Sequence, residues 1–153
     1  MAFERNGSLT IEQIRETEKK IGHKIPEDYK EFLLKTNGGR IDFVSDEEEH
    51  KFHIDLIDED DIWIDSLYGI GEDARDWLVY FNKEYGHETN GCLIVGDTLC
   101  HGFILYDYLG VWSSGGIYFW DDKLEYEASN DGNLYFVAKS FNEFLEMCKI
   151  KID

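Results

Sequence analysis

The stretch from residue 11 to residue 39 constrains the fold most, because it predicts two short helices joined by a Gly–Pro corner. Thr10 is placed to act as the N-cap of the first helix, and Gln13 can complete a capping box with it. Gly22 suits the left-handed position that follows a helix, since glycine has no Cβ. The first helix is therefore expected to end at about residue 21.

The second helix is expected to begin near Pro26, because the missing N–H of proline would be unpaired in the first turn of a helix anyway. The sequence Asn37-Gly38-Gly39 predicts its end, since these residues tolerate a positive φ. Its apolar face is formed by Tyr29, Phe32 and Leu33.

Glu18 interrupts the apolar face of the first helix, which is otherwise formed by Ile11, Ile14 and Ile21. We expect its carboxylate to accept a hydrogen bond from the backbone of the Asn-Gly-Gly turn. The alternative is that Glu18 lines a binding site.

Strand patterns fill most of the chain after Gly39. Helical spacing over 72–84 predicts a middle helix, and Ser140 can cap a final one with Glu143 as the capping-box acid. Residues 62–68 fit either a strand or a loop, and Gly96-Asp97 reads as a turn. Helices at both ends with neighbouring strands between them predict an α+β fold with a largely antiparallel central sheet. The expected strands are 40–44, 51–56, 92–95, 103–106, 117–120, 124–128 and 134–138.

Length and charge limit the classes of function. A chain of 153 residues fits one domain over 1–153, in which residues 1–8 are expected to be a loose lead-in. The net charge of −18 disfavours direct binding of nucleic acid or an anionic membrane and favours a basic protein partner. It serves solubility equally well. The sequence has no long apolar run and no signal-peptide layout, so we expect a cytoplasmic protein.

An ordered set of ten residues runs through the two predicted helices and the turn after them: Glu18, Gly22, Ile25, Pro26, Tyr29, Phe32, Leu33, Asn37, Gly38 and Gly39. This set resembles the opening of the SUKH superfamily, which includes yeast cell-wall-synthesis regulators and bacterial immunity proteins that neutralise polymorphic toxins. Ile25 departs from the leucine that is common before the proline, and Phe103 stands where a polar residue is more usual. Later segments resemble the family in the same order: 93–96, Gly102, Asp107, 117–121, 138–141 and 144–145.

Catalytic and metal-binding motifs are absent from the sequence. Cys92, Cys100 and His101 form the one Cys/His cluster, but no CxxC or HxxxH spacing accompanies them. We therefore expect Cys92, Cys100 and Cys148 to be reduced thiols and expect no metal or cofactor. The run from Ser113 to Gly116 reads as a turn, and no nucleophile elbow or P-loop is present. A small enzyme is the least favoured alternative.

The candidate partner-binding residues surround the predicted strand at 51–56, where Lys51 is the only base. If that strand lies at an edge, the acids at its two ends would form one negative patch, or would protect the edge from aggregation. Trp63 and Trp112 are candidate anchors, because aromatic residues dominate interface hot spots, although a place in the core is the favoured alternative for each. The acids are Glu47, Glu48, Glu49, Asp58, Glu59, Asp60, Asp61 and Asp65.

These observations together predict an immunity protein that binds a cognate toxin and blocks its active site without turnover. The resemblance implies that the toxin is often a nuclease, whose phosphate-binding surface must be basic. The alternative is a non-enzymatic regulatory scaffold like the cell-wall-synthesis regulators. The sequence leaves the oligomeric state open.

Overall fold

The computed structural model describes residues 3–42, 50–54, 60–99, 101–112, 115–122, 128 and 133–152, with Asp60 described by its backbone alone. These residues form four α-helices, one 3-10 turn at Gly86–Glu88 and eight strands. The helices are α1 (Ile11–Ile21), α2 (Glu27–Thr36), α3 (Trp77–Tyr85) and α4 (Phe141–Met147). The strands are β1 (Phe3–Arg5), β2 (Gly39–Ile41), β3 (Lys51–Ile54), β4 (Asp60–Leu67), β5 (Leu93–Thr98), β6 (Phe103–Asp107), β7 (Gly116–Trp120) and β8 (Leu134–Ala138).

The strands form one antiparallel sheet in the order β1-β2-β4-β5-β6-β7-β8, with β3 paired to β4. Strand β4 pairs with three other strands along its length. Its first half pairs with β3, whereas Ser66 and Leu67 pair with β2 and β5. The prediction of an α+β fold with an antiparallel central sheet is confirmed.

The capping signals at the start of the chain are confirmed. The Gln13 backbone N–H donates to Thr10 Oγ1 at 3.2 Å, and the Thr10 N–H donates to Gln13 Oε1 at 2.8 Å. Gly22 follows α1 with a φ of 71°, and Asn37 follows α2 with a φ of 51°. Local capping chemistry therefore sets both helix ends, as the sequence predicts.

Glu18 makes a structural hydrogen bond, but the predicted donor, the backbone of the Asn-Gly-Gly turn, is wrong. Its Oε2 accepts the Ile25 N–H at 2.7 Å and so closes the corner between α1 and α2. The Asn-Gly-Gly turn is held instead by Asn37, whose Oδ1 accepts the Ile70 N–H and whose Nδ2 donates to the Ile70 carbonyl, both at 2.8 Å. This pair of bonds fixes the end of α2 to the segment after β4.

The hydrophobic core lies between the sheet and helices α2 and α4. Phe32 and Phe141 pack edge to face with ring centroids 5.1 Å apart. Phe52 of β3 lies 5.9 Å from both Phe119 of β7 and Phe144 of α4. The sheet is therefore curved enough to bring β3 against its far end.

Three sequence predictions are wrong in their boundaries. Residues 3–5 are a strand rather than a loose lead-in, because Phe3 is only 4% exposed and packs on Phe32. The middle helix begins at Trp77, since positive φ values at the two residues before it prevent an earlier start. Gly96-Asp97 does not end β5; a register shift there lets the strand continue to Thr98.

The remaining strand predictions agree in position and differ in length. Residues 62–68, which fit a strand or a loop, lie in β4 apart from Tyr68. Strand β3 ends at Ile54, and β2 spans Gly39–Ile41 rather than 40–44. Glu143 accepts the Lys139 N–H at 3.0 Å, while Ser140 caps α4 as expected. The expected strand at 124–128 lies outside the described residues except for Ala128, which is not in a strand.

Candidate partner-binding surface

Three of the predicted partner-binding residues lie on one face of β4. Asp61, Trp63 and Asp65 alternate along the strand, so their side chains point to the same side, while Ile64 points into the core. Asp60 belongs to β4 by its backbone. Glu47, Glu48, Glu49, Asp58 and Glu59 lie outside the described residues.

The pairing of β3 with β4 completes this face. Lys51 lies opposite Trp63, and His53 lies opposite Asp61. We call this surface the hairpin face. Among the described strands β3 pairs with β4 alone, which is the edge position that the sequence left open. The hairpin face consists of Lys51, His53, Asp61, Trp63 and Asp65.

The Lys51 side chain is paired with other side chains of the hairpin face. Its Nζ lies 3.0 Å from Asp61 Oδ2 and 5.1 Å from the centre of the Trp63 ring. The hydrogen bond from Lys51 lowers the pKa of Asp61 below its ordinary value. The one lysine of this region is thus already paired within the chain.

The charges are unevenly divided along the sequence. Residues 42–65, which we call the acidic arm, contain eleven Asp and Glu and one Lys. Residues 3–41 contain seven acids and eight bases. A large part of the net negative charge therefore belongs to the acidic arm, and the paired helices are close to neutral.

The hairpin face continues into a second group of side chains at the end of β4. Arg40 NH2 lies 3.9 Å from Asp65 Oδ1, and the Arg40 guanidinium lies 6.0 Å from the centre of the Trp77 ring. The guanidinium of Arg75 lies 5.3 Å from the same ring centre. We call Arg40, Trp77 and Arg75 the Arg–Trp cluster. Sequence reasoning missed it, since Arg40 is far in the chain from Arg75 and Trp77.

Trp112 lies away from the hairpin face. The Trp63 carbonyl accepts the Leu99 N–H before the turn into β6, whereas Trp112 follows the other end of β6. The two candidate anchors therefore lie at opposite ends of β6. Trp112 packs against the core, whereas Trp63 is not among the described residues that do so.

The loop that carries Trp112 exposes other apolar side chains. The buried Asp107 carboxylate accepts the N–H of Val111 at 2.9 Å and of Trp112 at 2.6 Å, which holds the loop in one conformation. Leu109 is 67% exposed and Val111 is 48% exposed. These two residues, which sequence reasoning did not select, are the ones that the loop presents to solvent.

A partly buried acid, Asp97, interacts with Arg40 of the Arg–Trp cluster. Tyr68 donates its hydroxyl hydrogen to Asp97 Oδ2 at 2.8 Å, and the Ser66 N–H donates to Asp97 Oδ1 at 3.1 Å. Burial raises the pKa of Asp97 to about 7, and the hydrogen bond from Tyr68 offsets this only in part. Burial, followed by the charge of Asp97, raises the pKa of Tyr68 well above its ordinary value.

The crevice lined by Ser66 and Tyr68, the two residues that donate to Asp97, is too small for a substrate. The crevice lined by Arg40, Ser66 and Trp77 holds about 20 Å³, which is room for roughly one water molecule. A pKa near 7 suits a general base, but both Asp97 oxygens are already hydrogen-bonded. The arrangement stabilises a junction between β4 and β5 rather than offering a reactive group.

The thiols and acids of the described residues do not form a metal site. No group of three or more His, Cys, Asp or Glu side chains in this part of the chain could hold a metal ion. Cys92 and Cys148 are buried free thiols, and burial raises the pKa of Cys92 to about 12. Cys100 lies outside the described residues. No helix in the described ranges has the length and apolarity needed to cross a membrane.

Comparison with known proteins gives two matches. The model of the SMI1 / KNR4 family (SUKH-1) matches residues 8–147. The chain is also similar to the SPbeta prophage-derived uncharacterized protein YokK of Bacillus subtilis (strain 168), with 25% identity over 146 residues, 89% of this chain and 72% of the relative. The range matched by the family model includes α1 to α4 and every described strand except β1.

Proposed function

Because the chain belongs to the SMI1 / KNR4 family (SUKH-1), we propose that it is a bacterial immunity protein that binds a cognate toxin. The toxin is a nuclease, and the immunity protein covers its basic active-site surface. It acts in the cytoplasm, binds neither nucleic acid nor membrane directly, and catalyses no reaction.

The observation that carries this proposal is the charge of the acidic arm. Eleven acids stand against one lysine there, and that lysine is paired with Asp61. A nuclease must present cations to the phosphates of its substrate. A protein arm of opposite charge competes for the same surface and associates quickly, because long-range attraction steers the encounter.

The mechanism is occlusion. Trp63 lies in the middle of the hairpin face and offers an aromatic surface between acidic side chains, and tryptophan is a residue type enriched in interface hot spots. Acids at the rim set the rate of encounter, and the buried centre sets the lifetime of the complex. Trp112 belongs to a separate surface and is proposed only as a secondary contact.

The name of the Bacillus subtilis relative is compatible with the proposed function. Its name describes it as prophage-derived and uncharacterized, so it assigns no activity to either protein. A gene carried on a mobile element is compatible with a toxin-and-immunity pair.

The second candidate function is a regulatory scaffold that binds several host proteins. It is favoured by the loop with Leu109 and Val111, which exposes apolar surface at the opposite end of β6 from the hairpin face. Two separate surfaces suit a protein with more than one partner. The neighbouring gene discriminates the two functions, because an immunity gene lies beside a toxin gene and a scaffold gene need not.

A direct test uses the toxin domain encoded by the neighbouring gene. We expect this chain to form a 1:1 complex with it, to abolish its nuclease activity, and to associate more slowly as salt rises from about 50 to 500 mM. Inhibition that is indifferent to salt would contradict the electrostatic mechanism. The absence of any complex would contradict the proposed function itself.

A further inference from the structure

The Arg–Trp cluster brings two positive charges to one aromatic ring. The guanidinium carbons of Arg40 and Arg75 lie 6.0 and 5.3 Å from the Trp77 ring centre, so they are at most about 11 Å apart. Arg75 is exposed, and the Arg40 side chain is 51% exposed. Each guanidinium is a positive charge that an anion bound beside the ring can approach.

Neither arginine is well neutralised by the residues that the structure describes. The nearest carboxylate to Arg40 is that of Asp65 at 3.9 Å, a distance at the outer limit of an ion pair. For Arg75 no ion pair is found among the described residues. Its sequence neighbours nevertheless include Glu72, Asp73 and Asp76. In a protein with a net charge of −18, an arginine that contacts a ring instead of an adjacent acid is available to a partner.

The backbone that presents Arg75 is strained. Arg75 and Asp76 both have a φ of 53°, a left-handed conformation that is unfavourable for residues other than glycine. The segment is held in it by the Asp76 N–H, which donates to the Gly71 carbonyl at 2.8 Å, and by Asp76 Oδ1, which accepts the Gly71 N–H at 3.2 Å. Such strain is common where a side chain must be aimed at a ligand.

We propose that the Arg–Trp cluster is a receptor for a carboxylate side chain of the toxin. The planar fork of a guanidinium matches a carboxylate, and the Trp77 ring supplies an apolar wall beside it. A carboxylate is the group that a metal-dependent nuclease has in its active site, where it holds the metal. The toxin's identity as a nuclease rests on the proposed function; the preference for a carboxylate does not.

The position of the Arg–Trp cluster fits an interface that carries both negative and positive charges. Asp65 joins the hairpin face to Arg40, and Asp61 lies about 13 Å further along β4. The acidic arm would therefore contact basic groups of the toxin while the Arg–Trp cluster contacts an acidic group beside them. Such alternation fixes the register of two surfaces and excludes partners of uniform charge.

Beneath the cluster is a buried polar atom without a partner. Ser66 is 1% exposed and lines the same crevice as Arg40, Arg75 and Trp77, and its Oγ has no hydrogen-bond partner among the described residues. The crevice has room for about one water molecule. A carboxylate held by the guanidiniums at its mouth can accept a hydrogen bond from that water.

The first test needs no toxin. The 15N-labelled protein is titrated with a capped tetraglutamate peptide, and the Trp77 indole N–H and the Arg75 Nε–H are followed by NMR. We expect saturable shifts that Arg75→Gln and Arg40→Gln abolish and that tetraglutamine does not produce. The matched control is Lys83→Gln, which removes one positive charge from the exposed side of α3 and should leave the shifts intact. Absent shifts, or shifts that Lys83→Gln removes equally, overturn the receptor.

The second test separates binding from folding. Arg75→Gly relieves the positive φ and removes the guanidinium, so its melting temperature should equal or exceed that of the unsubstituted protein. In complex with the neighbouring gene's toxin domain it should dissociate at least about 30-fold faster, as expected for a hot-spot arginine. A lower melting temperature would show that Arg75 is structural and would overturn the proposal. If no complex forms with the unsubstituted protein, the proposed function fails, and the peptide titration still decides the receptor.

Discussion

Asp28 binds the N-terminus of a helix that begins 113 residues later in the chain: its Oδ2 accepts the Phe141 N–H at 2.9 Å. The same oxygen accepts the Asn142 N–H at 3.2 Å, and Oδ1 accepts the Tyr106 hydroxyl hydrogen at 2.9 Å. One carboxylate thus connects α2, α4 and β6. Its charge also complements the positive end of the α4 dipole.

Replacement of Asp28 should be strongly destabilising. Asp28→Ala leaves three N–H groups, those of Tyr29, Phe141 and Asn142, and one hydroxyl without their partner, and we expect a loss of about 2–4 kcal/mol in the free energy of unfolding. Urea denaturation measures this loss. The neighbouring Glu27→Ala removes an exposed ion pair with Lys30 and should change stability by about 0.5 kcal/mol or less. Equal effects at the two positions would contradict the role of Asp28.

Gly38 and Gly22 form a matched pair that separates crowding from backbone strain. Both have a positive φ, of 74° and 71°. A Cβ on Gly38 would overlap the Leu67 carbonyl, whereas a Cβ on Gly22 would meet no atom within 4 Å. We therefore expect Gly22→Ala to reduce the free energy of unfolding by about 1 kcal/mol and Gly38→Ala by well over twice as much. Thermal unfolding of both variants measures the difference, and similar melting temperatures would contradict it.

Asp97 should make the protein less stable as the pH rises. Its pKa is about 7 when folded and near 3.8 when unfolded, so between these values the folded state binds more protons. The free energy of unfolding therefore falls as pH rises from about 4 to 7, by up to about 1.4 kcal/mol per unit. The contribution is fully present below the unfolded pKa and is lost above the folded pKa.

Asp97→Asn isolates this effect. The amide can still accept the Ser66 N–H and reach the Tyr68 hydroxyl, but it does not ionise. Urea titrations at pH 5 and at pH 8 measure the free energy of unfolding of both proteins. The stability of the variant relative to the unsubstituted protein should be higher at pH 8 than at pH 5. Asp122, whose pKa is also raised by burial, remains in both proteins and cancels in the comparison. A difference that does not change with pH would exclude Asp97 as the titrating group.

The acidic arm should control the rate of association with the toxin. Replacing Glu47, Glu48 and Glu49 by Gln should reduce the association rate at low salt by about tenfold and flatten its salt dependence, with little change in dissociation. The control replaces Glu12, Glu84 and Glu146, three exposed acids elsewhere, with the same change in net charge. Stopped-flow fluorescence measures both. If the control slows association equally, total charge rather than the arm is responsible.

The native thiols should be inert. Burial raises the pKa of both Cys92 and Cys148, so little thiolate forms near neutral pH. In a Cys100→Ser background we expect no reaction with a disulfide reagent until urea unfolds the protein, after which two thiols react. Rapid reaction of either thiol in the native protein would contradict its burial.

Sequence reasoning succeeded where the decisive interactions are local. The cap at Thr10 and the ends at Gly22 and Asn37 depend on residues within four positions, and all were predictable. The start of α3 was not, because helical spacing before Trp77 gives no sign of two consecutive left-handed residues. Helix spacing reports where apolar side chains recur and says nothing about the backbone between them.

The candidate site was only partly predictable for the same reason. Asp61, Trp63 and Asp65 share a face because strand alternation is local, but Trp112 was grouped with them on composition alone. The Arg–Trp cluster joins Arg40 to Trp77 across the sheet, and the pKa of Asp97 depends on burial by distant segments. Glu18 shows the limit within a single motif: a structural role was expected, but its partner is Ile25.

The two halves of β4 pair with different strands, which separates recognition from folding within one strand. Its second half is anchored by β2 and β5, whereas its first half is paired with β3, and both of these lie within the acidic arm. Inward residues such as Phe52 and Ile64 are buried in the core, whereas the outward residues of the hairpin face are at least partly exposed. Substitutions at these outward positions can therefore change what the surface binds, one residue at a time, while the buried residues keep the fold unchanged.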